Sequence, residues 1–283
     1  MNIKYSVSNW IYGEEPIEEQ FRRLSRLGYD AIELIIIEPE KFELKLMEDL
    51  MEKYSLSCAS NETMMNWTPD KSNRRSIIDK DPEVRKKTVE YIKSCLDIAN
   101  KIGSSVVSIV PSGVSNIFEE WTDENKNVCA EVLQELGDYA KSLGSVFLVI
   151  EPINRYENMF LRRCEQALEL LNITNHPCVK IHLDFFHTNI EEDNNGDAIR
   201  LAGKDLAHCH IADSNRKSVG RGQTDWFEIF RALRDINYEG ILACEPIPPT
   251  GDVFESMKGT RPEADLYTKE CIEYLRFVES VIR

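Results

Sequence analysis

Short apolar runs alternate with longer amphipathic stretches along the whole of the 283-residue chain. The short runs have the length and composition of strands that are buried on both faces, as in a parallel sheet covered by helices. They predict eight strands, at residues 3–7, 31–37, 57–59, 106–110, 147–150, 180–183, 207–211 and 240–244. The stretches between them repeat apolar residues every three or four positions, which is typical of helices that pack on a sheet.

Helix-boundary signals flank several of these stretches. Asp81 and Pro82 predict an N-cap followed by proline in the first helical position. Asp225 and Glu228 have the spacing of a capping box. Three of the helical patterns are followed by a glycine, namely Gly28, Gly103 and Gly144. Helices often end at a glycine in the left-handed backbone conformation. The chain is therefore predicted to be a series of strand–helix units.

The repeated unit predicts an α/β protein with a single domain, residues 1–283, folded as a (β/α)8 TIM barrel. Such barrels typically have about 250 residues. A doubly wound open sheet built from the same elements is the alternative. Two irregular stretches, 64–80 and 251–261, are candidate lids over a site at the rim.

Four polar residues follow or end consecutive predicted strands: Glu151, Asp184, His210 and Glu245. They are 33, 26 and 35 residues apart, which is the length of one strand–helix unit. The carboxyl ends of the strands meet at one rim in a barrel, whereas in a flat sheet they would be spread apart. The spacing therefore favours the barrel and predicts a metal site at its rim. Three carboxylates and one imidazole suit a hard or borderline ion such as Mn²⁺, Mg²⁺ or Co²⁺, whereas Zn²⁺ usually has more nitrogen or sulfur ligands.

This ligand set also suggests a chemistry. Four protein ligands leave two positions of an octahedral ion for a ketone and a neighbouring hydroxyl of a sugar, which would stabilise an enediolate. Glu151 and Glu245 would flank the ion, so that one removes a proton and the other returns it to the opposite face. No glycine-rich fingerprint follows the first strand, and no nucleotide cofactor is predicted.

Two further histidines share strand faces with these residues. His208 lies two positions before His210, and His182 lies two positions before Asp184, so each pair points to one side of its strand. We expect His208 to support His210 from behind the metal. We expect His182 to be buried and hydrogen-bonded.

Other residues at the same rim are candidates for substrate contacts. Arg216 either forms a surface ion pair or offers a fork of donors to sugar hydroxyls. Glu157 and His187 lie at the level of the ligands and could orient hydroxyl groups near the ion. Three tryptophans either line a sugar pocket or only pack loops, namely Trp10, Trp67 and Trp121.

The composition limits the kinds of binding partner that we expect and indicates the cellular compartment. A formal net charge of −15 disfavours nucleic acid and anionic membrane surfaces as partners. The eight cysteines are spread singly, as expected of reduced thiols in a cytoplasmic protein. Neither a secretory signal nor a membrane-spanning apolar run is recognised. Cys209 and Cys244, which lie in predicted strands, are expected to fill the core.

Three phrases resemble a known family: Glu151-Pro-Ile-Asn-Arg-Tyr-Glu157, Leu183-Asp-Phe-Phe-His187 and His208-Cys-His210-Ile-Ala-Asp-Ser-Asn-Arg216. They are similar to those of the sugar isomerase/epimerase superfamily of xylose isomerase-like barrels, and most of all to the D-tagatose/D-psicose (ketose) 3-epimerases. The resemblance implies that Glu151, Asp184, His210 and Glu245 bind one divalent ion, and that the two glutamates are the acid/base pair. It also implies that Glu157, His187 and Arg216 contact the sugar, and it suggests a homo-oligomer.

The chain departs from the ketose epimerase pattern at a few positions. Phe185 and Thr188 stand where that family usually has Thr and Met, and Val219 stands where proline is common. The first half of the chain, including Trp10 and Trp67, does not match the family's aromatic pattern. Because these N-terminal loops shape the distal pocket, the resemblance specifies the metal chemistry more closely than the substrate.

Other activities are compatible with the same barrel. A lyase or dehydratase acting on an oxidised sugar or an inosose begins with the same enolisation. The barrel subunit of a C-glycoside deglycosidase, which needs a small partner subunit, belongs to this class. An apurinic endonuclease shares the barrel but needs a basic DNA-facing surface, which the net charge of −15 disfavours. A non-catalytic sugar-binding barrel would have no evident use for paired glutamates.

Overall fold

Eight parallel strands form the centre of the structure, a computed structural model that describes residues 3–144, 146–247, 257–259 and 262–282. Neighbouring strands pair in the order β1-β8-β7-β6-β5-β4-β3-β2. The strands are β1 Lys4–Val7, β2 Ala31–Ile36, β3 Ser57–Thr63, β4 Val106–Ile109, β5 Phe147–Ile150, β6 Val179–Asp184, β7 Leu206–Ile211 and β8 Ile241–Cys244.

The sheet closes on itself between its first and last members. The Asp30 amide donates a hydrogen bond to the Tyr5 carbonyl at 3.0 Å, and Ser8 forms a parallel bridge with Glu33. The predicted (β/α)8 barrel is therefore confirmed, and the doubly wound open sheet is excluded.

Nine α-helices within the described residues cover the outside of the barrel. They are α1 Ile17–Leu27, α2 Leu44–Tyr54, α3 Pro82–Ile102, α4 Asp123–Leu143, α5 Cys164–Thr174, α6 Phe185–Glu191, α7 Asn195–Ala202, α8 Trp226–Asp235 and α9 Pro262–Ile282. Asp81 accepts a hydrogen bond from the Glu83 amide at 3.0 Å, and Asp225 accepts one from the Glu228 amide at 3.0 Å. Both act as the N-caps that the sequence predicts.

Seven of the eight strands begin and end within one residue of their predicted positions, but β3 is longer than predicted. The sequence pattern ends this strand at residue 59, whereas it continues to Thr63. Ser60, Asn61 and Glu62 look like loop residues because they are polar. They are nevertheless buried, and Ser60 donates a hydrogen bond to Glu33 inside the barrel. Polar partners in the barrel interior, rather than apolar packing, accommodate this end of the strand.

The apolar core lies between the strands and the helices. Cys209 and Cys244 are fully buried there, as predicted. In the irregular stretch 64–80, Ile77 and Ile78 are buried, and Met65 is buried at the rim. Of the second candidate lid, 251–261, all but residues 257–259 lies outside the described residues. Among the described helices, none combines the length and the apolar character needed to cross a bilayer.

Candidate active site

The four candidate metal ligands lie together at the carboxyl ends of neighbouring strands. One ligand atom each from Glu151, Asp184 and His210 lies within 4.8 Å of the others. Glu245, directly after β8, places its Oε1 3.3 Å from Nδ1 of His210. All four side chains are buried. The regular spacing along the chain thus corresponds to one cluster in space.

The donor atoms of this cluster fit a divalent cation. Asp184 Oδ2 and His210 Nδ1 are buried and have no hydrogen-bond partner among the described residues. The other oxygen of Asp184 accepts the Phe186 amide at 2.8 Å, which fixes the carboxylate at the start of α6. Unpaired buried polar atoms are costly, and a cation with mixed oxygen and nitrogen ligands would satisfy both.

The electrostatics of the cluster reflect crowded carboxylates. Burial, reinforced by Glu245, raises the pKa of Asp184 to about 6. Burial also raises the pKa of Glu151 well above its usual range, with Asp184 and Glu245 adding to the effect. The pKa of Glu245 is lowered instead, because the attraction of His210 and Arg216 outweighs the opposing effect of burial. The pKa values of the two glutamates are therefore shifted in opposite directions.

Glu33, in β2, is a site residue that the sequence reasoning missed. It is fully buried and accepts hydrogen bonds from His210 Nε2 at 2.9 Å and from His208 Nε2 at 2.7 Å. A carboxylate on one ring nitrogen directs the other nitrogen towards a metal and raises its basicity. Burial opposes ionisation, but His210 and His208 hold the pKa of Glu33 well below its usual range. His208 thus contacts His210 through Glu33.

The position of Glu33 in the sequence could have indicated that it is a site residue. It is a single charged residue inside the apolar run 31–37, and charged side chains are almost never fully buried unless they are paired. A charge in the middle of a buried barrel strand therefore indicates a polar partner in the interior.

Two other polar groups reach the same interior. Glu62, near the end of β3, was also missed by the sequence reasoning, and its Oε1 lies 3.6 Å from His210 Nε2. Burial, reinforced by Glu33, raises the pKa of Glu62 well above its usual range. His182 is fully buried, and its Nδ1 forms a hydrogen bond with Ser108 Oγ at 2.8 Å.

The three candidate substrate-contact residues surround the acidic cluster. Arg216 lies 3.4 Å from both Glu157 Oε1 and Glu245 Oε2. Asn154 donates to Glu157 Oε1 at 2.8 Å and lies 2.7 Å from Nδ1 of His187, linking these two residues. His187 Nε2 lies 3.5 Å from Oδ2 of Asp184. Asn154 is a connecting residue that the sequence reasoning did not single out.

Arg216 is held in an unfavourable backbone conformation. Its φ of 59° is in the left-handed region, which non-glycine residues rarely adopt. Its amide donates to the Asp213 carbonyl at 2.7 Å, and its own carbonyl accepts the Ile247 amide at 2.7 Å. The guanidinium lies 4.6 Å from the centre of the Phe186 ring. These contacts place the guanidinium between two carboxylates, and such strain is frequent at functional sites.

The three tryptophans have different positions. Trp10 lines the pocket that contains the acidic cluster, and its Nε1 donates to Glu245 Oε1 at 2.7 Å. Trp67 packs against Phe118 with ring centres 4.7 Å apart, and Trp121 packs against Phe160 at 5.0 Å. The pocket is further lined by Thr63, Met64, Met65, Glu157, His187 and Arg216. A pocket with buried acids and one guanidinium is suited to a small polyhydroxyl ligand.

Comparison with known proteins shows that this chain is similar to several sugar epimerases. The D-psicose 3-epimerase of Ruminiclostridium cellulolyticum is 30% identical over 252 residues, covering 86% of this chain and 83% of that protein. The 3-dehydro-D-guloside 4-epimerase of Escherichia coli is 26% identical over 251 residues, covering 86% and 92%. The crystal structure of D-allulose 3-epimerase from Methylomonas sp. in complex with D-allulose shares the fold, with a TM-score of 0.85 and 24% identity over 98% of this chain and 97% of that chain.

The family relationship rests on a match that spans most of the chain. The model of the xylose isomerase-like TIM barrel matches residues 21–271. This range contains every site residue described above except Trp10. The chain therefore belongs to the xylose isomerase-like TIM barrel family.

Proposed function

We propose that this protein is a sugar epimerase that depends on a divalent metal ion and inverts C3 of a free ketose. The observation that carries the proposal is the placement of Glu151 and Glu245. Both are buried and line one pocket, and they follow β5 and β8, which are separated by two strands. To invert a carbon, one group must remove its proton from one face and another must return a proton to the opposite face. Two carboxylates on different sides of the substrate can do this. The likeness to the D-psicose 3-epimerase supports the choice of a ketose.

The metal site would consist of Glu151, Asp184, His210 and Glu245, with Mn²⁺ the expected ion and Co²⁺ or Mg²⁺ as alternatives. When bound, the ion supplies a Lewis acid that polarises the substrate carbonyl and so makes the neighbouring C–H bond more acidic. The protein contributes the orientation of these ligands, above all through Glu33 behind His210.

The chain's own residues would carry the proton. One glutamate takes the proton from C3, and the other delivers a proton to the opposite face of the same carbon, so that the product has the formula of the substrate. Trp10 and Arg216 each contact a different oxygen of Glu245 and thereby fix the plane of its carboxylate. Arg216, Glu157 and His187 would hold the hydroxyl groups next to the reacting carbon.

Replacing Trp10 with phenylalanine tests the orientation of Glu245. The ring is kept, but the 2.7 Å hydrogen bond to the carboxylate is lost. A hydrogen bond to a charged group contributes about 1.5–3 kcal/mol, so kcat/KM should fall about 10- to 100-fold. Steady-state kinetics on the ketose would measure this, with Trp67→Phe as the matched control that keeps the wild-type rate. An unchanged rate in Trp10→Phe would show that this hydrogen bond does not matter for the reaction.

The substrate is tested by following product formation with a panel of free ketoses. Protein loaded with Mn²⁺ should convert one or more of D-psicose, D-fructose, D-tagatose and L-ribulose into the C3 epimer, as separated by chromatography. A chelator should abolish the conversion, and added Mn²⁺ should restore it. Conversion that is unaffected by exhaustive chelation would contradict the metal requirement, and no conversion of any free ketose would contradict the substrate class.

A second candidate is epimerisation of an oxidised glycoside. The Escherichia coli relative is named for such a reaction, and its alignment with this chain covers 92% of its length. A 3-keto-glucoside in the same panel would reveal this activity as inversion of the carbon next to the ketone. The predicted lyase or dehydratase activity would instead release a leaving group from the same substrate, and it remains a prediction.

A further inference from the structure

Asn154 joins two of the proposed substrate-contact residues through a single amide group. Its side chain is buried in the loop between β5 and α5. The amide nitrogen Nδ2 lies 2.8 Å from Oε1 of Glu157 and 2.7 Å from Nδ1 of His187. The amide oxygen Oδ1 accepts the backbone amide of Tyr156 at 2.9 Å. The two N–H bonds of the amide are thus directed at Glu157 and His187.

The orientation of this amide is determined by its neighbours. A backbone N–H group only donates, so the atom of Asn154 that faces Tyr156 must be the oxygen. A carboxylate only accepts, so the atom that faces Glu157 must be the nitrogen. Turning the amide over would bring two oxygens together at Glu157 and two donors together at Tyr156. Two independent contacts therefore fix the same orientation.

The amide in turn fixes where His187 carries its proton. A neutral imidazole has a proton on one ring nitrogen and a lone pair on the other, whereas an imidazolium has no lone pair. Because an N–H of Asn154 points at Nδ1, this nitrogen is the acceptor, and the proton is on Nε2. Nε2 lies 3.5 Å from Oδ2 of Asp184 and 3.9 Å from Oε1 of Glu151. His187 therefore presents an N–H donor to the centre of the pocket.

His187 and Glu157 are then opposite in hydrogen-bonding character. The Glu157 carboxylate only accepts and so suits a hydroxyl group of the sugar. The Nε2–H of His187 only donates and so suits an oxygen without a hydrogen, such as a ketone oxygen. A ketone oxygen gains negative charge when the neighbouring carbon loses its proton, and a fixed donor to that oxygen lowers the barrier. One amide thus organises a donor and an acceptor for a ketone beside a hydroxyl group.

We propose that Asn154 is a positioning residue that keeps the proton of His187 on Nε2, so that His187 donates a hydrogen bond to the substrate oxygen that gains negative charge. The identity of this oxygen rests on the proposed function. The position of the proton on His187 rests only on the contacts of Asn154 and is measurable without substrate.

NMR of the histidine side chains tests the position of the proton directly. The full chain, labelled with ¹⁵N and loaded with diamagnetic Mg²⁺, has five histidines to resolve by long-range ¹H–¹⁵N correlation. The signals of His187 are those that disappear in His187→Gln. The wild type should show the proton on Nε2 and a scalar coupling across the hydrogen bond between Asn154 Nδ2 and His187 Nδ1. A proton on Nδ1 of His187 in the wild type would overturn the proposal.

Asn154→Asp tests whether the amide is the cause. The substitution keeps the shape of the side chain and the oxygen that accepts Tyr156, but it replaces the N–H donor with an acceptor. The proton should then appear on Nδ1 of His187. A folded Asn154→Asp variant in which Nδ1 still lacks a proton would contradict the role of Asn154. If circular dichroism shows that this variant does not fold, the wild-type proton position and the coupling decide the question by themselves.

Asn158→Asp is the matched control for this substitution. Asn158 is fully buried in the same loop, but its amide donates to Ser112 Oγ and to the Gly113 carbonyl. The variant should leave the proton of His187 on Nε2. A shift of the proton to Nδ1 in this control as well would mean that any disturbance of the loop moves it, and would count against a specific role of Asn154.

Kinetics separate positioning from a merely structural role. On a ketose that the protein epimerises, Asn154→Asp should lower kcat about 10- to 100-fold and change KM less, because the lost hydrogen bond strengthens as charge develops. In His187→Gln, the glutamine amide supplies its own N–H donor. Adding Asn154→Asp to that variant should therefore cost much less than in the wild type. An equal loss in both backgrounds would show that Asn154 does not act through His187.

The outcomes distinguish this inference from the proposed function. A protein that epimerises a ketose but carries the His187 proton on Nδ1 keeps the function and loses the role of Asn154. A protein that shows the proton on Nε2 and the coupling to Asn154, but epimerises no free ketose, keeps the positioning of His187 and loses the proposed substrate.

Discussion

Glu151→Gln and Glu245→Gln should each lower kcat by about 10²- to 10⁴-fold, the range that a positioned general acid or base contributes. Glutamine keeps the size of the side chain and one carbonyl oxygen but does not take up or deliver the proton at neutral pH. Because both glutamates are also proposed metal ligands, bound Mn²⁺ must be measured beside kcat. The fold should be preserved, since neither side chain pairs backbone groups of the sheet. Steady-state kinetics and circular dichroism measure the two effects.

The same two variants should differ from each other in a specific way. If each glutamate serves one face of C3, a variant that lacks one of them retains proton exchange, at a reduced rate, on only one of the two epimers. Glu119→Gln, which removes a buried carboxylate outside the pocket, should behave like the wild type. A wild-type rate of epimerisation in either Glu151→Gln or Glu245→Gln would refute the acid/base assignment.

Glu33→Gln should weaken metal binding by about 10- to 100-fold, as is typical when the carboxylate behind a ligating histidine is changed. Both oxygens of Glu33 accept hydrogen bonds, from His208 and His210. A glutamine can accept only one of these, so its amide would oppose the other N–H donor. An unsatisfied buried donor costs about 1–3 kcal/mol, so the free energy of unfolding should fall as well.

Calorimetric titration with Mn²⁺ and thermal unfolding would measure these changes. His208→Ala is the companion variant, because it removes one of the two histidine donors and leaves the bond between Glu33 and His210 in place. It should weaken metal binding or the rate less than Glu33→Gln does, without eliminating either. Wild-type affinity in Glu33→Gln would show that this carboxylate does not organise the metal ligand.

The rim of the barrel was predictable from the sequence, because its polar residues stand directly after apolar runs. Glu151 and Glu245 follow β5 and β8, and each successive pair among the four predicted ligands is separated by about one strand–helix unit. The closure of the sheet into a barrel was predicted from the same regular spacing of the polar residues. In such positions the hydrophobic pattern locates the strand, and the strand locates the functional side chain.

The barrel interior was not predictable in the same way. Glu33, Ser60 and Glu62 lie within strands and are buried because they contact or lie near polar groups from distant parts of the chain. The hydrophobic pattern shows which residues avoid water but not which polar residues find partners inside the protein. For the same reason β3 was predicted to end at residue 59 and Glu33 received no role.

The tryptophans show a related limit. Trp10, Trp67 and Trp121 are equivalent in the sequence pattern, yet the described contacts place only Trp10 against a candidate acid/base group. Which aromatic side chain reaches the pocket depends on the path of the loops, and this path depends on tertiary packing rather than on local periodicity.

Proton exchange at C3 tests the central claim most directly. The Mn²⁺-loaded protein is incubated with D-psicose, D-fructose or D-tagatose in deuterated water, and deuterium at C3 is followed by NMR. Proposed epimerisation through Glu151 and Glu245 predicts deuterium at C3 together with the appearance of the opposite epimer, both abolished by chelator. An epimer that forms without deuterium at C3 would contradict proton transfer with solvent-exchangeable carboxyl groups, and no exchange on any of these sugars would contradict the assignment as a ketose 3-epimerase.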